Sequence, residues 1–491
     1  MKSLVFYVLL FLCWILGPVC GAEPEATLGL LQRPNIVFIF ADDWGYGDIS
    51  AHGHPHVKTP NLDKMISDGT DYSLFTVVGS VCSPSRAGVM TGQFPARQSI
   101  HGHFATVESH AKRGMPDWLD PEGVLLPKLL QNAGYVTGHF GKWHLANDHV
   151  PDAPGVEQYG FSSSMAFNHY NGIYEIQHEK AAAAGIEFIR KNKDRPFFLN
   201  LWIHESHTDH FPSKSAMAKF AHLPKAEQVY YAVLDDGDRK VGDVMKALQE
   251  CGIDKKTLVV FSSDNGPESF HGNEKKNIQN QASGFGLECS YGLTQGRNGR
   301  KRSLYQGGVG VPFIARWPGV IPAGIFDNKT YISAVDLLPT FCEMAGVALP
   351  NGYECDGESV LNAFKGLEFS RKKPIFLEWR EGSPAAAVIS DGFKLVRLRS
   401  GVEELYQLHL SCAESAQENT ISRYPEVAQK LGKMLDTWKE SLPTSPNSTC
   451  FSRIRKDDEE AQRLLKCAKE RLDIIKKLQQ ASMITGSEEI P

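Results

Sequence analysis

The sequence predicts an α/β protein: a large domain with a mostly parallel sheet sandwiched by helices, plus a smaller C-terminal α+β domain with an antiparallel sheet. Three observations carry this. Four apolar runs each end in residues able to do chemistry, stretches of helical periodicity fill the gaps, and the texture changes near residue 370 to short runs.

The first run, Asn35–Phe40, leads into Ala41-Asp42-Asp43, and Tyr135–Phe140 leads into Gly141-Lys142-Trp143-His144. Pro196–Ile203 leads into His204-Glu205-Ser206-His207, and Thr257–Phe261 into Ser262-Ser263-Asp264-Asn265-Gly266. Strands apolar at nearly every position belong to a sheet covered on both faces. Ligands of such sheets sit beyond the carboxyl ends of the strands, so the four runs deliver acids, a lysine and histidines to one edge. Helical spacing predicts helices over Leu125–Asn132, Ala181–Lys191 and Tyr230–Glu250, with Gly134 and Gly252 just past two of the ends. Asp235, Asp236 and Asp238 in the third helix read as a solvated acidic face rather than a metal site. Beyond residue 370, Pro374–Trp379, Ala386–Arg397 and Glu403–Leu408 read as short strands and Pro425–Ser441 as a charged helix. The division is then a signal peptide at 1–22, a large domain at 34–370, an α+β subdomain at 371–445 and a charged tail at 446–491, helical notably over Asp457–Gln480.

The N-terminus reads as a secretory signal, with Lys2, an apolar core from Leu4 to Leu16 and small residues from Gly17 to Ala22. That core is too short to span a bilayer comfortably, and no later segment is long and apolar enough. The expected product has no membrane span and is secreted or lysosomal. Ten cysteines suit an oxidising route. Cys342 with Cys355, and Cys450 with Cys467, are close enough in sequence to pair, although spacing does not prove connectivity. The sequons Asn328-Lys329-Thr330 and Asn447-Ser448-Thr449 are compatible with a secreted glycoprotein. A net charge of -5 argues against nucleic-acid binding by bulk charge.

Cys82-Ser83-Pro84-Ser85-Arg86 runs into the small-residue stretch Ala87-Gly88-Val89-Met90-Thr91-Gly92. Proline costs little in a first helical turn, so Cys82 falls at a helix N-terminus, which favours an anionic ligand. Lys142 and His144, alternating along an extended chain, would share one side with Trp143 opposite. Arg297, Arg300, Lys301 and Arg302 form a local basic patch suited to an anionic substrate, with solvated loop charge the ordinary alternative for the three arginines. The polar stretch His271–Asn298 lacks periodicity, and long loops at an active edge commonly set substrate choice. His271, Asn168 and His169 are candidate substrate contacts.

With these motifs in order from Pro34 to Asn419, including Glu404-Leu405-Tyr406, the chain resembles the formylglycine-dependent sulfatases of the arylsulfatase type, in the alkaline-phosphatase superfamily. The resemblance implies an alkaline-phosphatase-like large domain and hydrolysis of sulfate esters, with sulfated carbohydrates as the expected substrates. It implies that Cys82 is converted to 3-oxoalanine (formylglycine) by the formylglycine-generating enzyme. The hydrated aldehyde has two hydroxyls on one carbon: one attacks sulfur, and the other then expels sulfate. Asp42, Asp43, Asp264 and Asn265, with residue 82, correspond to the metal shell. All-oxygen ligands favour one Ca2+, with Mg2+ second. Arg86 would stabilise the aldehyde hydrate, Lys142 would bridge hydrate and sulfate, and His144 would assist deprotonation. Lys301 would contact sulfate, although Gln306 stands where the family usually has Glu before Gly307-Gly308. His207 has the family's spacing for the sulfate ligand and proton donor, but Asp209 replaces a proline. His210 keeps the His-x-Pro form with Pro212 and is the alternative, while His204 is expected to be structural or to sit just behind the reacting residues.

Two other readings compete. A phosphatase of the same superfamily normally uses Ser or Thr with a two-zinc, His-rich shell, which Cys82 and the Asp/Asn set disfavour. A secreted, catalytically inactive sulfatase-like binding protein would have lost catalytic positions, and the main ones are present.

Overall fold

The structure is a computed structural model, described for residues 33–168, 174–208, 210–269 and 290–456 and for residues 466 and 470. The signal segment, His169, Asp209, His271, Cys467 and all but two positions of the Asp457–Gln480 helix lie outside the described residues.

In chain order the strands are β1 Asn35–Ala41, β2 Thr70–Tyr72, β3 Phe75–Thr76, β4 Val136–Lys142, β5 Ser163–Phe167, β6 Phe197–Trp202 and β7 Thr257–Ser263. They continue as β8 Phe313–Arg316, β9 Ile325–Asp327, β10 Ile332–Ser333, β11 Ile375–Glu378, β12 Ala386–Ser390, β13 Phe393–Arg397 and β14 Glu403–Gln407. Eight form one sheet in the order β5-β4-β6-β1-β7-β8-β2-β9, and β10 pairs with β3. All pairings from β5 to β7 are parallel, whereas β8 runs antiparallel to both β7 and β2.

Strand β1 shows why its sequence is apolar throughout. Ile36, Phe38 and Phe40 face one core with the helices Cys82–Thr91, Leu126–Asn132 and Leu337–Ala345. Val37, Ile39 and Ala41 face the other, with the helices Pro60–Ser67 and Lys225–Glu250. Period-two alternation therefore sorts side chains between two apolar layers rather than between core and water. Burying each large aliphatic side chain contributes roughly 1.5–3 kcal/mol.

The C-terminal sheet, β11-β12-β13-β14, is antiparallel throughout and is packed by the helix Pro425–Glu440. Its apolar face joins the first core, where Phe376 stacks on Trp438 at 4.8 Å and Phe94 meets both rings. Among the described residues no helix is long and apolar enough to cross a membrane.

Two expectations need correction. Asp236 and Asp238 are buried caps, not a solvated face. Asp236 accepts from the Ser213 backbone and hydroxyl, and Asp238 from the backbones of Asn61 and Leu62. Cys342, Cys355 and Cys450 carry free thiols, so the Cys342–Cys355 pairing is not made.

Candidate active site

Strands β4, β6, β1 and β7 are adjacent and parallel, so their carboxyl ends share one edge. Register fixes the positions further. Ala41 lies opposite Ser263, placing Asp42 beside Asp264, and Gly141 lies opposite Trp202, placing Lys142 level with Ile203, one residue before His204.

Cys82 begins the helix Cys82–Thr91, with Pro84 in its first turn and Gly92 closing it in the left-handed region at φ 66°. The turn before it is tight: Ser85 Oγ donates to Gly79 O at 2.8 Å, and a Cβ on Gly79 would lie 2.6 Å from Pro84 Cβ. Ser83 Oγ accepts the Phe104 N–H at 3.0 Å.

Around Cys82 Sγ, Lys142 Nζ lies at 3.3 Å and Asp42 Oδ1 at 3.5 Å. Lys142 Nζ also donates to Asp42 Oδ2 at 2.5 Å, and Lys301 Nζ donates to Asp43 Oδ2 at 2.6 Å. Arg86 is fully buried over the Trp202 ring and reaches Asp264 Oδ2 from Nε and NH2 at 3.0 and 2.7 Å, with NH1 on Lys142 O at 3.1 Å. Arg86 thus grips the Asp264 carboxylate with two of its nitrogens.

The charges explain one another. Burial raises the Asp42 carboxyl, but Lys142, His207, His204 and Arg86 outweigh it and hold the group well below the usual carboxylate range. Asp43 is pushed up to about 7, first by burial and then by Asp42, Glu268 and Asp264, against Lys301. Asp264 is raised by burial and Asp42, against Arg86. Burial also pushes the Cys82 thiol up, Lys142 only partly opposing it, which keeps the sulfur protonated near neutral pH.

Three crowded carboxylates fit a hard divalent cation, and one further atom points the same way. Asn265 Nδ2 donates to Asp43 Oδ1 at 2.6 Å and to Gly266 O at 2.8 Å, while its carbonyl Oδ1 is buried without a hydrogen bond. A buried acceptor left unmade costs about 1–3 kcal/mol, and a cation relieves it. Asp42, Asp43, Cys82 and His207 offer ligand atoms within 4.8 Å of one another.

His207 lies beside these acids, Nε2 being 3.9 Å from Asp43 Oδ2, and its Nδ1 contacts Thr208 O. His210 is buried instead with its ring 5.5 Å from that of Tyr230. His204 Nδ1 stands 3.3 Å from Asp42 Oδ2, behind the acids.

The Lys142–His144 segment departs from simple alternation. Gly141 has φ 115° and a Cβ there would lie 2.0 Å from Trp202 O, so only glycine fits. His144 itself has φ 51°, which swings its ring onto Phe104 O, with Nε2 at 2.9 Å. A carbonyl only accepts, so Nε2 carries the proton and Nδ1 is the basic atom. Asn168 Oδ1 accepts the His144 N–H at 2.9 Å, so it braces the Lys142–His144 segment.

The basic patch resolves into separate roles. Arg297 is buried 3.4 Å over the Tyr46 ring and donates to Gly310 O and Ser73 O, and Arg300 donates to Glu268 O and Gly292 O. Both bracket the backbone. Arg302, 44% exposed, pairs with Glu268. Glu268 was not singled out from sequence. Its Oε2 is 3.4 Å from Lys301 Nζ, and Lys301 and Arg302 overcome its burial to hold it at about 2. The signal was there in Asp264-Asn265-Gly266-Pro267-Glu268, an acid four residues beyond another, but nothing local names Lys301 as its partner.

Together these features define a sulfuric ester hydrolase. The sulfatase family model matches residues 34–347, and that of the N-sulphoglucosamine sulphohydrolase C-terminal region matches 298–441. The chain belongs to the sulfatase family. It is 30% identical to human arylsulfatase A over 395 residues, 72% of this chain and 71% of that protein. It is 29% identical over 405 residues to N-acetylgalactosamine-6-sulfatase of Canis lupus familiaris, 74% of this chain and 72% of that protein. The structure of Ps i-CgsB in complex with k-i-k-neocarrahexaose shares the fold, with a TM-score of 0.71 and 24% identity over 85% of this chain and 96% of that one.

Proposed function

We propose that this sulfatase hydrolyses sulfate esters of carbohydrates, using residue 82 as a formylglycine and one calcium ion. The observation that carries the reading is the position of Cys82 Sγ, 3.3 Å from Lys142 and 3.5 Å from Asp42 at a helix N-terminus. Support for a carbohydrate comes from relatives named for a sulfated amino sugar and from the neighbour holding k-i-k-neocarrahexaose. The formylglycine-generating enzyme would be the maturation partner, and the route secretory, ending in the lysosome or outside the cell.

Asp42, Asp43, Asp264 and Asn265, with residue 82, would hold the ion, which supplies positive charge to polarise a sulfate oxygen. The aldehyde hydrate supplies two hydroxyls on one carbon, one to attack sulfur and one to release sulfate. Arg86 keeps Asp264 ionised and aimed. Lys142 and Lys301 place two ammonium groups beside residue 82 and Asp43, where the sulfate oxygens would lie. His144 Nδ1 accepts the proton from residue 82, its Nε2–H anchored on Phe104 O. His207, with Nδ1–H on Thr208 O, would use Nε2 to protonate the leaving alcohol.

The test is sulfate release from 4-methylumbelliferyl sulfate by protein made with the modifying enzyme. Wild type turns over and Cys82→Ala loses at least about a thousandfold in kcat, as expected for a lost nucleophile. Equal rates in the two proteins overturn the proposal.

A further inference from the structure

Next to the catalytic residues lies a second cluster that the sulfate chemistry does not use. The chain at 99–104 is pinned against the site at Phe104, whose N–H meets Ser83 Oγ at 3.0 Å and whose carbonyl accepts His144 Nε2 at 2.9 Å and Asn147 Nδ2 at 3.0 Å. The preceding residue, His103, is half-buried with its ring centroid 6.1 Å from that of His144. Arg113 NH1 donates to His103 O at 3.0 Å, and its Nε pairs with Glu381, just past β11 of the C-terminal sheet. On the other flank Arg302 and Lys301 share the single carboxylate of Glu268.

The cations here are more exposed than those around Cys82. Arg86, Lys142 and Lys301 each face an aspartate at the sulfate position. At the rim, Arg302 and Arg113 each pair with one glutamate, Glu268 and Glu381, but their side chains are 44% and 20% exposed, so a substrate anion can reach them from solvent. Burial first, and then Arg113, Lys301, Arg302 and Lys142, hold His103 down at about 3, so near neutral pH it adds a hydrogen-bonding group and no charge. A neutral imidazole beside partly exposed guanidinium groups is a receptor for hydroxyls flanked by an anion.

We propose that His103, Arg113 and Arg302 form the subsite for the alcohol portion of the ester, and that they select an alcohol bearing a second anionic group, a carboxylate or a second sulfate. This rests on the sulfatase reading above and adds the substrate class. It also gives the C-terminal sheet a function: Glu381 holds Arg113 in place from that side.

The experiment uses matched substrates with the mature enzyme. Monosulfated uronate-containing disaccharides, O-sulfated at different positions, are compared with their uronate methyl esters, and a disulfated disaccharide tests the second source of charge. 4-Methylumbelliferyl sulfate reports basal turnover. The expected result is a kcat/KM at least about tenfold higher for the free uronate or disulfated form than for its neutral counterpart, the worth of one charged contact. That ratio falls toward one in Arg302→Gln and in Arg113→Gln, and Arg113→Lys retains most of it. Disturbance of Lys301 through Glu268 lowers both members of a pair alike and leaves the ratio unmoved. A wild-type ratio near one overturns the inference, as do variants that keep the wild-type ratio or hydrolysis of the aryl sulfate alone. No turnover of any sulfate ester, the aryl sulfate included, overturns instead the underlying sulfatase proposal.

Discussion

Replacing Arg86 with methionine tests how the site is held together. The guanidinium is wholly buried, makes two hydrogen bonds to Asp264 Oδ2 at 3.0 and 2.7 Å and one to Lys142 O at 3.1 Å, and packs over Trp202 at 4.9 Å. Methionine keeps apolar contact with Phe40 and Trp202 but leaves Asp264 as a buried carboxylate without its cation. Hydrogen bonds to charged groups are worth about 1.5–3 kcal/mol each, and removing one member of a buried pair costs about 3–5 kcal/mol overall. In EDTA, Arg86→Met should therefore lower the unfolding free energy by about 3–5 kcal/mol, read from urea unfolding by tryptophan fluorescence with unchanged m. With calcium present the loss should shrink, because the ion replaces the missing charge beside Asp264. A loss below about 1 kcal/mol, or one identical in EDTA and calcium, would refute the assignment of Arg86 as the counter-ion of a metal-facing acid.

Further outcomes follow from the same geometry. Glu268→Gln should lower kcat/KM by about ten- to a hundredfold, mainly through KM, by loosening Lys301, and Glu268→Asp should recover part of it. Glu268 is held at about 2 rather than 4.5, so its contribution of ~3 kcal/mol is present above pH 4.5 and lost as the pH falls toward 2. The stability gap between wild type and Glu268→Gln should then be open at pH 7 and closed near pH 2, and a gap independent of pH would contradict the ion pairing. Chelation should lower thermal stability and activity together. Calcium added back at about a hundredfold over its dissociation constant should restore about 2.7 kcal/mol, and magnesium less. No thermal response to either ion would count against the oxygen shell.

The parallel strands were legible because both faces of β1, β4, β6 and β7 are buried, which writes continuous apolar runs into the chain. The edge that gathers Asp42, Lys142, His207 and Asp264 follows from that alone. Longer-range pairings were not legible. Asp236 and Asp238 looked solvated because their partners, Ser213 and Asn61, lie 23 and 177 residues away. Lys142 and His144 were expected to alternate, and the positive φ at Gly141 and His144 breaks that pattern. Arg297 and Arg300 looked like solvent-facing charge until the backbone carbonyls they bracket were in place. Glu268 was silent for the same reason: its value depends on Lys301 arriving from 33 residues later with Arg302.

The central claim is that residue 82 works as an aldehyde and not as a thiol. Mass spectrometry of the tryptic peptide containing residue 82, from protein made with the formylglycine-generating enzyme, tests it most directly. The expected peptide has exchanged SH2 for one oxygen at that position and forms a hydrazone with a carbonyl reagent. Recovery of unmodified Cys82 from protein that still hydrolyses sulfate esters would contradict it.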